Sequence, residues 1–160
     1  MDLLRKKMIT ATKEFTWSMS HRLENHDNLC KNVHGHNYKM LVTFKRISNR
    51  LEDTNKSEEG MVCDFSTIKN LVTTLIINKI DHAFVYNVND KDSLSIAKVL
   101  DGQIEQKIYG LNFRVTAENM AEYFCQILND FLEAANEPFK CIKIVLYETD
   151  TSFVTYEVNK

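Results

Sequence analysis

HNYKMLVTFKRI, residues 36–47, is the stretch on which the fold turns. Tyr38, Met40, Val42 and Phe44 recur at every second position, so an extended chain puts all four on one side. Residues 8–19, rich in threonine and aromatics with partial alternation, read as a strand before it. HRLENHDNLCKNVHG, 21–35, is polar and joins the two as a loop. SNRLEDTNKSEEG, 48–60, reads as a polar turn or tip. Asp64 then offers an N-cap, and Phe65, Ile68, Leu71, Val72, Leu75 and Ile76 follow at helical spacing, predicting a helix that ends near Lys79. Thr116 offers a second N-cap. Met120, Tyr123, Phe124, Ile127, Leu128, Phe131 and Leu132 make one apolar helical face after it, and Pro138 ends the region. KCIKIVLYE, 140–148, and SFVTYEV, 152–158, read as two strands joined by a tight hairpin at TDT. In between, DSLSIAKVLDGQ predicts a short helix and YGLNFRV an extended piece. The main order is strand, strand, helix, helix, strand, strand. That predicts a single α+β domain over 1–160, an antiparallel sheet of four strands with two helices on one face. Such a sheet has two open edges, and pairing with another subunit is one way to cover them.

The 160 residues are enough to bury a real core, and their net charge is only −2. Lysine and arginine never run beyond three in a row. Nothing builds the basic stripe that tracks a phosphate backbone, so no nucleic-acid partner is expected. No stretch approaches the ~20 apolar residues of a membrane span, and MDLLRKKMITATKEF lacks a cleavage pattern, so the expectation is a cytoplasmic protein with no membrane partner. Cys30, Cys63, Cys125 and Cys141 form no CxxC pair and read as reduced thiols. The last three lie in apolar neighbourhoods and read as core packing.

His34 and His36 are two apart. At the start of a strand this spacing points both imidazoles to one face, and Gly35 is expected to leave room between them. Zinc needs a third ligand at least. His21, at the end of the first strand, is the natural one, because a hairpin brings it beside the other two. His26, mid-loop, is weaker. HxH pairs also occur on plain surfaces. Cys30 could complete a closed Cys-His-His-His structural site, or stand off the metal as a thiolate base or nucleophile; spacing alone leaves both open. Asp81 and His82 are adjacent, as an acid–base pair would be, or as a cap beside a surface histidine. Glu148 ends an apolar strand. It is either a plain turn residue or a carboxylate able to accept two N–H bonds from a guanidine-like ring edge.

Taken together in order, FTWSMSHRL, CKNVHGHNY, MVCDFSTIKNLV, IDHAFVYN, VTAENMAEYF and LYETDTSFVTY resemble the 6-pyruvoyl-tetrahydropterin synthase family, over about residues 10–157. Within that family the chain is most similar to the bacterial 6-carboxy-5,6,7,8-tetrahydropterin synthase branch. The resemblance implies the tunnelling fold (T-fold), with order ββααββ. It also implies a homohexamer of two stacked trimers, with active sites at subunit interfaces. It makes His21, His34 and His36 ligands of Zn2+, and Cys30, Asp81 and His82 the catalytic groups. Glu148 then anchors a pterin ring, with Thr116 and Glu118 of TAEN nearby.

The implied substrate is 7,8-dihydroneopterin triphosphate, and the implied reaction a lyase step giving 6-carboxy-5,6,7,8-tetrahydropterin with release of acetaldehyde and triphosphate, in queuosine biosynthesis. Cys30 lies four residues before His34, the spacing of the carboxy branch; the animal pyruvoyl enzymes have a longer gap. Two features depart from the family pattern. The segment Asn87–Val115 is longer than in compact members, and VTAEN replaces a proline-threonine opening. A 6-pyruvoyl product without carbon–carbon cleavage is the alternative on the same scaffold. A non-catalytic zinc-stabilised oligomer is the alternative of another class.

Overall fold

The structure, a computed structural model, describes residues 8–48 and 57–158. Most of the expected 48–60 tip therefore lies outside the described residues. β1 (Ala11–His21) and β2 (His34–Arg46) pair antiparallel, from Ala11 opposite Phe44 to His21 opposite His34. Phe15, Trp17 and Met19 sit across from Met40, Tyr38 and His36 in this register, on the face that turns toward the core. β5 (Phe139–Thr149) adds antiparallel to β2, and β6 (Ser152–Glu157) folds back on β5 through the expected hairpin at Asp150 and Thr151.

The sheet is larger than the four strands expected. It has six, in the order β4-β3-β1-β2-β5-β6, with β3 (Phe84–Asn87) and β4 (Ile108–Leu111) added at the β1 edge. Nor is it wholly antiparallel, because β1 to β3 and β3 to β4 run parallel. Each added strand is four residues long. Phe84, Val85 and Tyr86 are all buried, which erases the period of two that reveals a half-exposed strand.

Parallel neighbours need a crossover, and α3 (Lys91–Ile104) supplies it. Val85 points into the main core, whereas Phe84 and Tyr86 pack with Ala97, Leu94, Ile96 and Leu100 of α3 in a separate cluster. Successive strand residues face opposite ways, so α3 covers the other face of the sheet. The expectation of two helices on one face is corrected: a third helix lies behind.

On the core face, α1 (Phe65–Val72) starts where the Asp64 side chain accepts from the Ser66 amide. It runs through a π-helical stretch, Thr73–Ile77, into α2 (Asn78–Ile80). α4 (Ala117–Ala134) starts at Thr116, whose hydroxyl accepts from the Asn119 amide. Met120, Phe124, Leu128 and Leu132 of α4 are buried, while Phe131 of the expected apolar face is exposed. Each fully buried side chain of this kind contributes about 1.5–3 kcal/mol over an exposed one. Phe124 meets Trp17 edge-on at 6.2 Å and ties α4 to β1. Cys63, Cys125 and Cys141 are buried as expected, and all four cysteines are free thiols. Among the described residues no helix is long and apolar enough to cross a membrane.

Candidate metal centre

The register of β1 and β2 brings His21 directly opposite His34, with His36 two residues on along the same face. The ring centroids of His21 lie 4.6 Å from His34 and 5.4 Å from His36, and those of His34 and His36 are 4.9 Å apart. One nitrogen from each ring falls within 4.8 Å of the other two. Gly35 does not separate these rings, because it faces the other way, opposite Ser20. A Cβ there would stand 3.2 Å from the Met19 carbonyl oxygen, so what glycine permits is the close approach of β1 and β2.

The hydrogen bonds decide which nitrogens are free. His21 Nδ1–H donates to the Val115 carbonyl at 2.9 Å, and His34 Nδ1–H donates to the Asn32 carbonyl at 2.8 Å. Carbonyls only accept, so each Nε2 is left with its lone pair. His34 Nε2 is buried with no hydrogen-bond partner. Burial pushes the His21 imidazole below its usual pKa, against the opposing pull of the Val115 hydrogen bond and of Glu148. Burial likewise lowers His36. Three imidazoles around one shared space, two of them with Nδ1 fixed by an outer carbonyl, are a donor set zinc takes. The residues present fit the ion.

Glu148 stands beside this group. It occupies the register shift between Tyr147 and Thr149, where a bulge re-aims a side chain. Its Oε1 lies 3.5 Å from His21 Nε2 and 3.9 Å from His36 Nε2. The Tyr38 hydroxyl donates to the same oxygen at 3.3 Å and lies 3.4 Å from His21 Nε2. Burial, reinforced by the Glu148 charge, raises the Tyr38 pKa far above its usual value, so it stays a phenol. The sequence reading puts Tyr38 on one side of the strand with Met40, Val42 and Phe44, and assigns it no role in the site. Its signal was the continuation of the period from His34 and His36 to position 38.

Thr116, Glu118 and Glu148 line one cavity of about 340 Å³ with Leu23 and Phe153. Asp81 and His82 sit elsewhere, at the turn leading into β3. His82 Nδ1–H donates to Asp81 Oδ1 at 2.8 Å, and the same oxygen accepts from the Ser18 amide at 3.2 Å. His82 holds a left-handed backbone, φ 58°, unusual for a residue with a side chain. Its amide donates to the Ser18 carbonyl at 2.7 Å, and Lys107 Nζ donates to the Asp81 carbonyl at 2.7 Å. His82 and Lys107 line a second cavity, about 480 Å³, that also reaches His36. Cys30, partly exposed, lies in a single 3-10 turn (Leu29–Lys31) on the loop between His21 and His34, and its sulfur is not part of the cluster of three imidazoles. His26 is spent locally, its Nδ1 accepting from the Asn28 amide.

A family model described as 6-pyruvoyl tetrahydropterin synthase matches residues 10–159. A 6-carboxy-5,6,7,8-tetrahydropterin synthase of Haemophilus influenzae is 36% identical over 150 residues, covering 94% of this chain and 99% of its own. One from Aquifex aeolicus is 38% identical over 132 residues, covering 81% of this chain and 76% of its own. Among solved structures, an uncharacterized protein of Wolinella succinogenes superposes with TM-score 0.75 at 17% identity, over 96% of this chain and 99% of its own. The Caenorhabditis elegans 6-pyruvoyl tetrahydropterin synthase superposes at 0.60 with 22% identity, over 98% of this chain and 100% of its own. These likenesses show the fold.

Proposed function

The chain belongs to the 6-pyruvoyl tetrahydropterin synthase family, and from that premise we propose that it is a zinc-dependent lyase. With uptake of a water, it converts 7,8-dihydroneopterin triphosphate to 6-carboxy-5,6,7,8-tetrahydropterin, acetaldehyde and triphosphate, in the queuosine route. The observation that carries this is the convergence of three imidazoles and Glu148 at one end of the sheet, beside a cavity lined by Thr116 and Glu118. The carboxy product is supported by the similarity to the Haemophilus influenzae enzyme, nearly end to end.

His21, His34 and His36 would hold the ion. Bound zinc supplies Lewis-acid polarisation of the substrate's side-chain hydroxyls. Glu148 accepts the pterin's guanidine-like N–H edge, and the Tyr38 hydroxyl keeps that carboxylate in place. Cys30 Sγ, as thiolate, takes a proton from the side chain. His82 is the second acid–base group: Asp81 holds its Nδ1–H, which leaves Nε2 to take or give a proton.

Two further parts of the proposal rest on the fold. Among the described residues no further strand pairs with the outer edges of β4 and β6, and such edges support assembly into a homohexamer built from two trimers. The four free thiols support a reducing, cytoplasmic setting.

Anaerobic incubation of the zinc-loaded protein with 7,8-dihydroneopterin triphosphate, followed by mass spectrometry and an acetaldehyde assay, tests the reaction. The expected result is 6-carboxytetrahydropterin with one acetaldehyde per turnover. A 6-pyruvoyl product without acetaldehyde overturns the carboxy assignment.

A further inference from the structure

Arg22 follows the buried His21 directly in the chain, but its side chain turns to the start of α3. Its Nε–H donates to the Lys31 carbonyl at 3.0 Å. The next amide, Leu23 N–H, donates to the Cys30 carbonyl at 2.8 Å. The two carbonyls that follow the Cys30 and Lys31 side chains are thus both held by the residues that follow His21.

The far side of the guanidinium is held in turn. Nη1 contacts Asp90 Oδ2 and lies 3.3 Å from Ser93 Oγ. Nη2 lies 3.7 Å from Asp92. Asp90 is the N-cap of α3 and accepts from the Ser93 amide at 3.0 Å, so one carboxylate both starts the helix and pairs the arginine. The Arg22 and Asp90 side chains are only 12% and 14% exposed. A second strap runs alongside, Asn87 Nδ2 donating to Glu24 Oε1 at 2.7 Å.

We infer that α3 is a brace: through Asp90 and Arg22 it sets the Cys30 turn against His21. Arg22 is thereby a positioning residue for Cys30. The inference rests on the reading of Cys30 as the catalytic thiol. It gives a task to α3, which otherwise stands behind the sheet, and it explains why a surface loop carries a largely buried arginine.

Arg22→Lys keeps a charge opposite Asp90, but a single ammonium cannot also reach the Lys31 carbonyl in the same geometry. In zinc-loaded Arg22→Lys, kcat should fall by roughly 10- to 100-fold, with KM and zinc content nearly unchanged. Amide exchange at Leu23 should quicken by at least about tenfold, while the amides of Met40 and Phe124 keep wild-type protection. Asp90→Asn, which retains the cap acceptor, should show the same pattern in weaker form, so the inference does not depend on one variant folding. Wild-type kcat together with wild-type Leu23 exchange in both variants would overturn the brace. The reading of Cys30 is checked separately: full activity in Cys30→Ala would sink that reading, and the Leu23 exchange still reports on the brace, because it needs no turnover.

Discussion

Nε2 of His21 lies 3.5 Å from Oε1 of Glu148, with no proton of its own to bridge the gap. The ring's one proton is committed at Nδ1 to Val115, and burial disfavours a second. A lone pair is left facing a carboxylate, with the unpartnered Nε2 of His34 close by. A cation among these atoms relieves all of this at once. Chelation should therefore lower the Tm of the zinc-loaded protein. With free zinc at a hundred times its dissociation constant, the loss amounts to about 2.7 kcal/mol. His34→Ala should abolish the chelator-sensitive increment while leaving the metal-free fold in place. Calorimetry with and without chelator measures it, and a wild-type Tm indifferent to chelator counts against the centre.

Tyr38→Phe removes the hydroxyl that reaches both Glu148 and His21 without opening a void. The ring stays stacked on Trp17, 5.4 Å between centroids, so the loss in stability should be only about 0.5–1.5 kcal/mol. Glu148, no longer fixed, should bind the pterin less well. The expected outcome is a fall in kcat/KM of roughly 10- to 100-fold with zinc content unchanged, in line with other partners one bond removed from a metal site. Steady-state kinetics beside metal analysis decides it. Loss of zinc in this variant would mean that Tyr38 acts through His21 instead.

The β1–β2 hairpin and its histidines were legible because a half-buried strand writes its faces into alternate residues, from His34 through Phe44. The caps at Asp64 and Thr116 were legible because a short polar side chain before an apolar helical repeat has one economical use. β3 was not, since burial of Phe84, Val85 and Tyr86 on both faces leaves no alternation to read. Placing α3 behind the sheet needed the parallel crossover, which depends on finding β3 and β4 first. Tyr38 was hidden by the apolar neighbours Met40, Val42 and Phe44 that share its side of the strand, and Arg22 by a pairing 68 residues away in sequence.

Asp90 predicts how acid acts on the brace. Burial by itself raises its carboxyl pKa, but the Ser93 hydroxyl and amide and the Arg22 guanidinium outweigh it and hold the group below the usual carboxylate range. The folded pKa is thus lower than the unfolded value of about 3.9, and the unfolded chain takes up the proton first. The stabilisation is present in full well above pH 4 and is lost as pH falls through the folded pKa. The gap in unfolding free energy between wild type and Asp90→Asn should be flat from pH 7 to 5, at about 1–3 kcal/mol for a pair neither exposed nor fully buried. It should shrink below pH 4. Urea titrations across that range test the sign, and a gap that widens on acidification contradicts it.

Cys30→Ala separates a thiol that reacts from a thiol that ligates. The three imidazoles gather without the cysteine sulfur, so the variant should bind zinc as wild type does and keep its Tm to within about 1 kcal/mol. Its side chain is partly exposed, so truncation leaves no sealed cavity. Turnover should fall by about 10²–10⁴, the usual loss for a proton-transfer group, because on the proposed reading His82 Nε2 alone cannot replace the thiol on the loop between His21 and His34. Metal analysis, melting and kinetics on the same preparation give the answer. Zinc and activity disappearing together, with the fold loosened, would mean that Cys30 closes a four-ligand structural site and that the chemistry assigned to it lies elsewhere.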